Sequence, residues 1–559
     1  MSAPPHPAPP ATPGAAAFLP PTLIFVLLAF PPETRGEAQA GAAALIALLG
    51  LLVLWRGAST SGLAAIVLGL AGLVPVMLVA EAPGAVPEVW ATLLLGLAAG
   101  TFVAALPRGP ASDRAVVVAL AAMGAIVAAW GVFQSLYGLG ELADRIESGI
   151  AVADQSQIVV RARGGRAFAG FPTPAALGGC LILALPITVG AAFERTGAGR
   201  AVLLASAALQ GCGLVATRSA TAVGGLVVAL AIFSALAPRR RRVVLAGIGV
   251  AVVVLAGIVT WRAGELLDPR GPDSAWRERA GNARIALEIL ADHPWIGVGP
   301  GGYGEAYPRY RRPSDNESQH VHDLPLELCS EWGVPLGALG TVAFLWLFLA
   351  PLARRTPDRA PWRSGAAIGL AALAIQNLLD FTLLLPSLLW TAALVRGSIG
   401  AAARAGTSSH LSLLRPLAAG ATLVAATIAA LGGIAWNDRF DTRQALVDGD
   451  LERATVRIDR ATRLAPWNPE GWLLLGPVAL ANVPPDRPRA ADAAERAIAL
   501  APTRPAARML RSRIRLFDGD LPGAYADVSE ALRLYPSSPL YVRAVADLEG
   551  RFRIAGPAP

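Results

Sequence analysis

Long apolar stretches alternate with short polar ones over most of the chain, from Phe18 to Trp436. An apolar helix of about 20 residues is long enough to cross the hydrocarbon core of a bilayer. The pattern therefore predicts an all-α membrane protein, a helix bundle with about 12–13 spans. The thirteen predicted spans lie near residues 17–30, 39–55, 60–80, 87–107, 115–138, 173–193, 201–216, 220–237, 243–261, 333–353, 364–381, 382–400 and 415–436.

Three segments depart from this pattern. Residues 1–16 are rich in proline and alanine, which predicts a disordered N-terminus. Residues 262–332 form a long polar and aromatic loop between two spans, and residues 437–559 have the composition of a soluble domain. We call residues 262–332 the outer loop. We therefore divide the chain into the N-terminus, a membrane domain over 17–436 that includes the outer loop, and a C-terminal domain over 437–559.

The arginines indicate how the spans are oriented. Cytoplasmic loops of membrane proteins are enriched in basic residues. With the N-terminus inside, every second loop is basic and falls inside: these loops hold Arg56, Arg108, Arg114, Arg195, Arg200, Arg239 to Arg242, Arg354, Arg355, Arg363, Arg396 and Arg404. The outer loop and the C-terminal domain then lie on the same, non-cytoplasmic side.

Composition changes this picture little. Charged residues make up 16% of the chain and the net charge is +8, but loop arginines account for the excess, so we predict no nucleic-acid partner. The three cysteines, Cys180, Cys212 and Cys329, form no Cys-x-x-Cys pair. This spacing indicates neither a zinc site nor a disulfide framework.

The C-terminal domain repeats itself. The segments ATRLAP (461–466), AIALAP (497–502) and ALRLYP (531–536) recur at spacings of 36 and 34 residues. A helix-pair repeat near 34 residues is typical of tetratricopeptide units, and a proline after the second helix ends it. We predict a tetratricopeptide-like α-solenoid with an irregular middle unit near Pro484. The C-terminal domain is predicted to serve either as a surface for a protein partner or as a structural cap on the membrane domain.

The outer loop carries the residues that are candidates for a functional site. Its first part, Ala275 to Asp292, is predicted to form a helix that ends at His293-Pro294. The glycine-rich GVGPGG turn (297–302) lacks the strand and the Lys-Ser/Thr pair of a nucleotide-binding loop. The sequence His320-Val-His322-Asp323 follows close to the next span.

The outer-loop sequence DHPWIGVGPGGYGEAYPRY, followed by HVHD and EWGVPLG, resembles the signature loop of a known superfamily. This superfamily comprises O-antigen ligases, Wzy-type polymerases and bacterial protein O-oligosaccharyltransferases. Three weaker matches support the resemblance: RAFAGFPTPAALGG (166–179), TRSATAVGG (217–225) and QNLLDF (376–381) with Pro386. The resemblance spans roughly residues 150–390 and does not separate the branches of the superfamily.

The resemblance implies a function. Members transfer a glycan from undecaprenyl diphosphate to a lipid, glycan or protein acceptor on the outer face of the bacterial inner membrane, in cell-envelope or exopolysaccharide biosynthesis. Diphosphate leaves without protonation if arginines neutralise its charge, and a neutral histidine suits the acceptor hydroxyl as a base. The resemblance thus implies an inverting transferase with neither cofactor nor metal.

By position in the family pattern, His322 is the predicted base, and His320 is a second catalytic candidate. The predicted diphosphate ligands are Arg166, Arg218, Arg277 and Arg284. Arg277 and Arg284, seven residues apart on one helix face, have an alternative role in ion pairs with Glu278 or Glu288. Asp380 is interpreted either as an acceptor-site carboxylate or as a structural hydrogen-bonding residue.

The chain departs from the family pattern at several positions. Asp323 stands where asparagine is usual, and it either holds the imidazole or repels the diphosphate. Pro172-Thr173-Pro174 lacks two usual asparagines, and Gln376 replaces a histidine. These departures leave open a divergent acceptor or an inactive member. Two other classes of function also stay open: a transporter or flippase for the same lipid, and an assembly scaffold that works through the C-terminal domain.

Overall fold

The computed structural model describes residues 19–31, 35–55, 60–106, 109–147, 159, 162–236, 241–264, 275–353, 360–400 and 414–555. The fold is all-helical, as predicted, and these residues contain no β-strand. The predicted disorder of residues 1–16 falls outside them, as do Arg56, Arg108, Arg239, Arg240, Arg354, Arg355 and Arg404, on which the predicted orientation partly rests.

The membrane domain contains helices α1 to α16, and α17 leads into the C-terminal domain. The helices that precede the outer loop are α1 (Leu19–Ala29), α2 (Gly36–Trp55), α3 (Thr60–Ala71), α4 (Leu73–Val79), α5 (Val86–Ala105), α6 (Pro110–Phe133), α7 (Leu139–Glu147), α8 (Pro174–Ala192), α9 (Gly197–Thr217), α10 (Ala220–Leu236) and α11 (Arg241–Trp261). Those that follow are α12 (Ala275–Asp292), α13 (Tyr303–Tyr310), α14 (Leu324–Ala353), α15 (Pro361–Gln376), α16 (Pro386–Ile399) and α17 (Leu414–Asp448).

The chain is a multi-pass membrane protein. Seven of the described helices are long and apolar enough to cross a membrane, judged by length and composition: Val86–Ala105, Pro110–Asp144, Pro174–Ala192, Gly197–Thr217, Arg241–Trp261, Leu324–Ala353 and Leu414–Asp448. Three shorter apolar helices accompany them, at Pro20–Ala29, Gly36–Leu51 and Ala220–Leu236. Each of the thirteen predicted spans lies on one of the helices or on a helix pair.

Two predicted spans differ from expectation in a way that matters for the site. Helices α15 and α16 have 16 and 14 residues, which corresponds to about 24 and 21 Å of helix, short of a bilayer core. The chain between them, residues 377–385, is not α-helical and holds Asp380. Non-helical backbone at membrane depth is tolerated where protein buries it, and such breaks are typical of functional sites.

The outer loop folds into a small unit with its own apolar core. The predicted helix over Ala275–Asp292 is confirmed as α12, and the glycine-rich turn separates it from α13. The core contains Ile285, Ala286, Ile289, Val298, Tyr303, Ala306, Tyr307 and Val321. The buried residues of α12 lie on one side of the helix, so this side faces the turn and the His-Val-His segment.

A break in α14 holds the glycine-rich turn. Gly333 has φ 74°, which interrupts the helical ladder and leaves carbonyl groups of the preceding turn without helical partners. Val298 N donates to Ser330 O (3.1 Å) and Gly299 N to Glu331 O (2.8 Å), so the turn satisfies these groups. The backbones are so close that a Cβ atom on Gly297 (φ 70°) would lie 2.3 Å from the carbonyl carbon of Glu331.

The C-terminal domain is a stack of helical hairpins that continues directly from α17. Its helices are α18 (Leu451–Leu464), α19 (Pro469–Ala481), α20 (Arg487–Leu500), α21 (Pro505–Phe517), α22 (Leu521–Leu534) and α23 (Pro539–Ala555). The repeated DGDL segments form helix-to-helix turns, in which Gly449 and Gly519 have positive φ and Asp450 and Asp520 cap the next helix. This arrangement is consistent with the predicted tetratricopeptide-like solenoid.

The C-terminal domain is docked on the outer loop and on the end of the membrane domain where α5 begins. Gly84 N donates to Leu500 O (3.0 Å), close to the start of α5. Arg504 donates to both oxygens of Glu305 on α13, with Nε 2.9 Å from Oε2, and to Glu470. Tyr535 accepts a hydrogen bond from Arg311 (2.5 Å). Arg311 of the outer loop therefore binds the C-terminal domain.

We expect Arg504→Ala to loosen this docking. The substitution leaves Glu305 and Glu470 without their shared cation, and removal of one partner from a buried ion pair costs about 3–5 kcal/mol. Because Arg504 is 18% exposed, we expect a loss toward the lower end of that range. Arg551→Ala is the matched control, since Arg551 is exposed and pairs with Asp547 within its own helix. Thermal unfolding of the two purified variants checks this, and equal unfolding temperatures would contradict the docking role.

Candidate active site

The site lies where the His-Val-His segment (320–322) meets the non-helical connection between α15 and α16. The ring of His320 stacks on Phe381, with centroids 4.1 Å apart and an interplanar angle of 15°. The ring of His322 meets the same phenyl group edge-on at 4.8 Å. Leu324 N donates to Asn377 O (3.1 Å), which ties the start of α14 to the same connection. Two sequence motifs that are distant in the chain thus form one surface.

Glu327 organises the two histidines. Its Oε1 atom lies 2.5 Å from Nδ1 of His320, and its Oε2 accepts a hydrogen bond from the backbone N–H of Val321 (3.2 Å). The Glu327 side chain is almost fully buried, whereas that of His320 is 35% exposed. A carboxylate that binds Nδ1–H fixes the tautomer and leaves Nε2 as the basic nitrogen. Glu327 is not among the site residues predicted from the sequence.

The electrostatic surroundings raise the pKa of His320. Burial acts to lower this pKa, but the carboxylates of Glu327, Glu331 and Asp380 together raise it by more, with Glu327 contributing most of the increase. The protonated imidazole is therefore stabilised, and the ring titrates above its ordinary range. Such a residue accepts a proton readily near neutral pH.

The carboxylate of Asp323 lies at the start of α14. Its Oδ1 accepts the backbone N–H of Leu326 (2.9 Å), so the carboxylate caps the N-terminus of α14. Burial raises the pKa of Asp323, and this backbone hydrogen bond acts in the opposite direction. Asparagine caps a helix about as well as aspartate, which gives a physical reason why either residue fits this position.

Asp380 brings the other motifs to the histidines. Its Oδ2 accepts a hydrogen bond from Thr221 (3.2 Å), which belongs to the TRSATAVGG element at the start of α10. The positive charges of Arg279 and Arg166 act on this buried carboxylate. The outer loop, the 166–179 element, the 217–225 element and the 376–381 element therefore converge on one place.

Arg218 lies at the outer end of α9 in a left-handed conformation (φ 50°, ψ 33°). Its guanidinium stacks over Trp261, 4.2 Å from the ring centroid, and donates to Gly164 O. Arg218 directly follows Thr217, the last residue of α9, so it lies at the edge of this apolar helix, between the predicted spans 201–216 and 220–237. The contact with Gly164 links Arg218 to the loop that carries Arg166.

The arginines of α12 divide between two sides of the helix. Arg277 donates to Ser314 O (2.9 Å), and Arg284 binds both Glu288 (2.7 Å) and Asp315 (2.5 Å). These two residues share a helix side, as predicted, and that side holds the 314–315 segment. The alternative in which Arg284 pairs with Glu288 is thus present in the structure.

Arg279 is a further candidate, and it is not among the site residues predicted from the sequence. It is three residues before the buried Asn282 and seven before the buried Ala286, so it lies on the buried side of α12. Its Nε is buried and makes no hydrogen bond to any residue that the structure describes. The spacing relative to the apolar residues of α12 was the signal that could have identified it.

The fold and site define a polytopic membrane protein that carries a histidine, carboxylate and arginine cluster under an outer loop. Residues 205–345 match the family model described as O-Antigen ligase, and this segment runs from α9 through the outer loop into α14. The superfamily resemblance seen in the outer loop is thereby confirmed over this segment, and it supports a family function in glycan transfer. A search of curated proteins gives no match.

Proposed function

We propose that this chain transfers a glycan from a polyprenyl diphosphate to an acceptor hydroxyl at the outer face of the inner membrane. The observation that carries the proposal is the His320–Glu327 pair beside the Asp380 and arginine cluster. Base, carboxylate and cations are the groups that this reaction needs, and they meet at the outer ends of membrane helices. Ligation to a lipid, polymerisation and transfer to a protein all use this chemistry.

His320 acts as the general base in this proposal. Nδ1–H donates to Glu327, and Nε2 takes the proton from the acceptor hydroxyl as its oxygen attacks the anomeric carbon. The bond between that carbon and the diphosphate oxygen breaks with its electron pair, which leaves polyprenyl diphosphate. Attack opposite to the leaving group inverts the configuration. This differs from the family pattern, which predicts His322 as the base; His322 touches the same Phe381 ring and is the second candidate in this proposal.

Arginines stabilise the leaving diphosphate. Arg279 and Arg166 lie within electrostatic range of Asp380, and Arg218 is connected to the Arg166 loop through Gly164. Permanently charged guanidinium groups bind phosphate oxygens in bidentate fashion. Arg284 is committed to Glu288 and Asp315, so the proposal does not depend on it. No step of this reaction requires a metal or a cofactor.

We expect Arg218→Lys to transfer poorly although it keeps the charge. The guanidinium both stacks on Trp261 and donates to Gly164, whereas lysine offers one compact ammonium group. Donor affinity and transfer rate of the purified variant check this prediction. Wild-type values for both would show that Arg218 only anchors the end of α9.

The proposed orientation places the outer loop and the C-terminal domain outside the cytoplasm. Both are tied together by Arg504 and Glu305, so they share one side of the membrane in any orientation. We expect reporter fusions after Arg242 and after Asp450 to report opposite sides, with the first in the cytoplasm. Matching signals from the two fusions would contradict the proposed topology.

Cleavage of the donor separates an enzyme from a transporter or scaffold. The purified chain is reconstituted in vesicles that contain a polyprenyl-diphosphate glycan, and donor binding, cleavage and translocation are each measured. We expect cleavage that depends on acceptor and is lost in His320→Ala, whereas donor binding persists. Translocation of intact donor that His320→Ala leaves unchanged would favour a flippase and overturn the proposal.

A further inference from the structure

Helix α12 has a second, outward-facing apolar side that the site does not use. Trp276, Ala280, Ala283 and Leu287 follow each other at spacings of four, three and four residues, so they share one side of the helix. Trp276 is 55% and Leu287 54% exposed. This apolar stripe differs from the side with Asn282 and Ile285, which is buried in the outer-loop core.

The exposed apolar surface continues beyond the end of α12. Trp295 and Ile296 follow the helix directly and are 75% and 54% exposed. Val334 N donates to Pro294 O (2.8 Å), which holds this turn against α14. Val334 is itself exposed, and farther along α14 the side chains of Leu336, Leu339, Val342 and Trp346 form an exposed apolar surface.

The position of this contact along α14 corresponds to the outer boundary of the bilayer. The part of α14 from Gly333 to Ala353 has 21 residues, or about 31 Å of helix, which matches a hydrocarbon core of about 30 Å. The kink at Gly333 therefore marks the outer end of this span. Trp295 lies beside that end, and tryptophan is enriched at membrane–water interfaces.

We propose that α12 is an interfacial helix whose apolar stripe, together with Trp295 and Ile296, is seated in the outer leaflet of the membrane. The occupant of this surface is phospholipid, because the stripe runs into the lipid-facing row of α14. A helix with one apolar side and one polar side binds in the plane of the interface. Seated in this way, α12 holds Arg279, which lies between the stripe and the buried side of the helix, next to the site at the level of lipid headgroups.

Site-directed fluorescence in nanodiscs tests this inference. The full-length chain, with Cys212 and Cys329 replaced by alanine, carries the environment-sensitive dye NBD at Trp276→Cys, Leu287→Cys or Trp295→Cys. The matched controls are Arg277→Cys and Asp292→Cys, which are exposed positions on the polar side of the same helix. The nanodisc lipid is phosphatidylcholine with a nitroxide quencher on its acyl chain.

We expect the three stripe labels to be quenched several-fold more strongly than the two controls and to emit at shorter wavelength. Equal quenching at all five positions, or none at the stripe, would overturn the proposal and indicate a stripe that is open to a protein partner. A photoactivatable phospholipid applied to the unsubstituted chain gives an independent measurement. Adducts are expected on the peptides around Leu287 and Trp295, and their absence would contradict the inference.

Discussion

Replacement of His320 by alanine is expected to slow glycan transfer by about 10²–10⁴-fold, the range that general-base assistance contributes. The reason is the geometry of the ring, which has Nδ1 bound to Glu327 and a face stacked on Phe381. The single-turnover rate with purified enzyme measures the effect. If His322→Ala abolishes transfer while His320→Ala has a small effect, the base is His322.

Glu327→Gln is expected to change the pH profile as well as the rate. The base must be neutral, so transfer falls as the pH drops through the pKa of His320. The Glu327 carboxylate raises that pKa, whereas partial burial lowers it. In Glu327→Gln the carboxylate no longer raises the pKa of His320, while burial still lowers it. The acid limb of the pH profile should therefore move to lower pH. Asp323→Asn is the control, because asparagine preserves the cap of α14 and should leave the acid limb in place.

A purely structural Glu327 would give a different result. If it merely held the Val321 backbone, Glu327→Gln would lower stability or total activity without moving the acid limb. An unchanged limb in a folded Glu327→Gln enzyme would therefore contradict the proposed pair.

Arg279→Ala is expected to reduce transfer by about 10²–10³-fold, as the loss of one preorganised donor to a developing oxyanion does in other enzymes. Arg279 lies on the buried side of α12 and acts on Asp380. Arg277, two residues earlier, is exposed and binds the Ser314 carbonyl. Both variants replace an arginine of α12 by alanine. A difference between their transfer rates therefore reports the side of the helix on which the arginine lies.

The two possible assignments predict opposite outcomes. If Arg277 is the phosphate ligand, as the family position implies, then Arg277→Ala should cause the greater loss. If Arg279 is the ligand, Arg277→Ala should retain most of the transfer rate. A greater loss in Arg277→Ala would thus remove Arg279 from the proposed site.

The local features of the outer loop could be predicted from the sequence. Helix α12 has a regular apolar periodicity, and it ends at Asp292 because His293-Pro294 stops it. The glycine-rich turn, the position of Arg218 at a helix end and the repeats of the C-terminal domain follow from equally local signals. The family resemblance located the histidines in the same way.

The long-range features could not be predicted in this way. Glu327 belongs to an apolar helix, and nothing local indicates that its carboxylate reaches back seven residues to His320. Phe381 and Asp380 reach the site because the helix pair α15 and α16 breaks at residues 377–385, where hydropathy alone suggested two complete spans. The family pattern predicts Arg277 as a ligand. Arg279 is indicated only by its position relative to the buried residues of α12.

The most direct test of the account is the fate of the donor diphosphate. Purified full-length chain in nanodiscs is supplied with a polyprenyl-diphosphate glycan and an acceptor extract, and phosphorus NMR follows the lipid while mass spectrometry follows the glycan. We predict one polyprenyl diphosphate released for each glycan that appears on an acceptor, and neither product in His320→Ala. Intact donor at the end of the reaction, with wild-type chain bound to it, would contradict the assignment as a transferase.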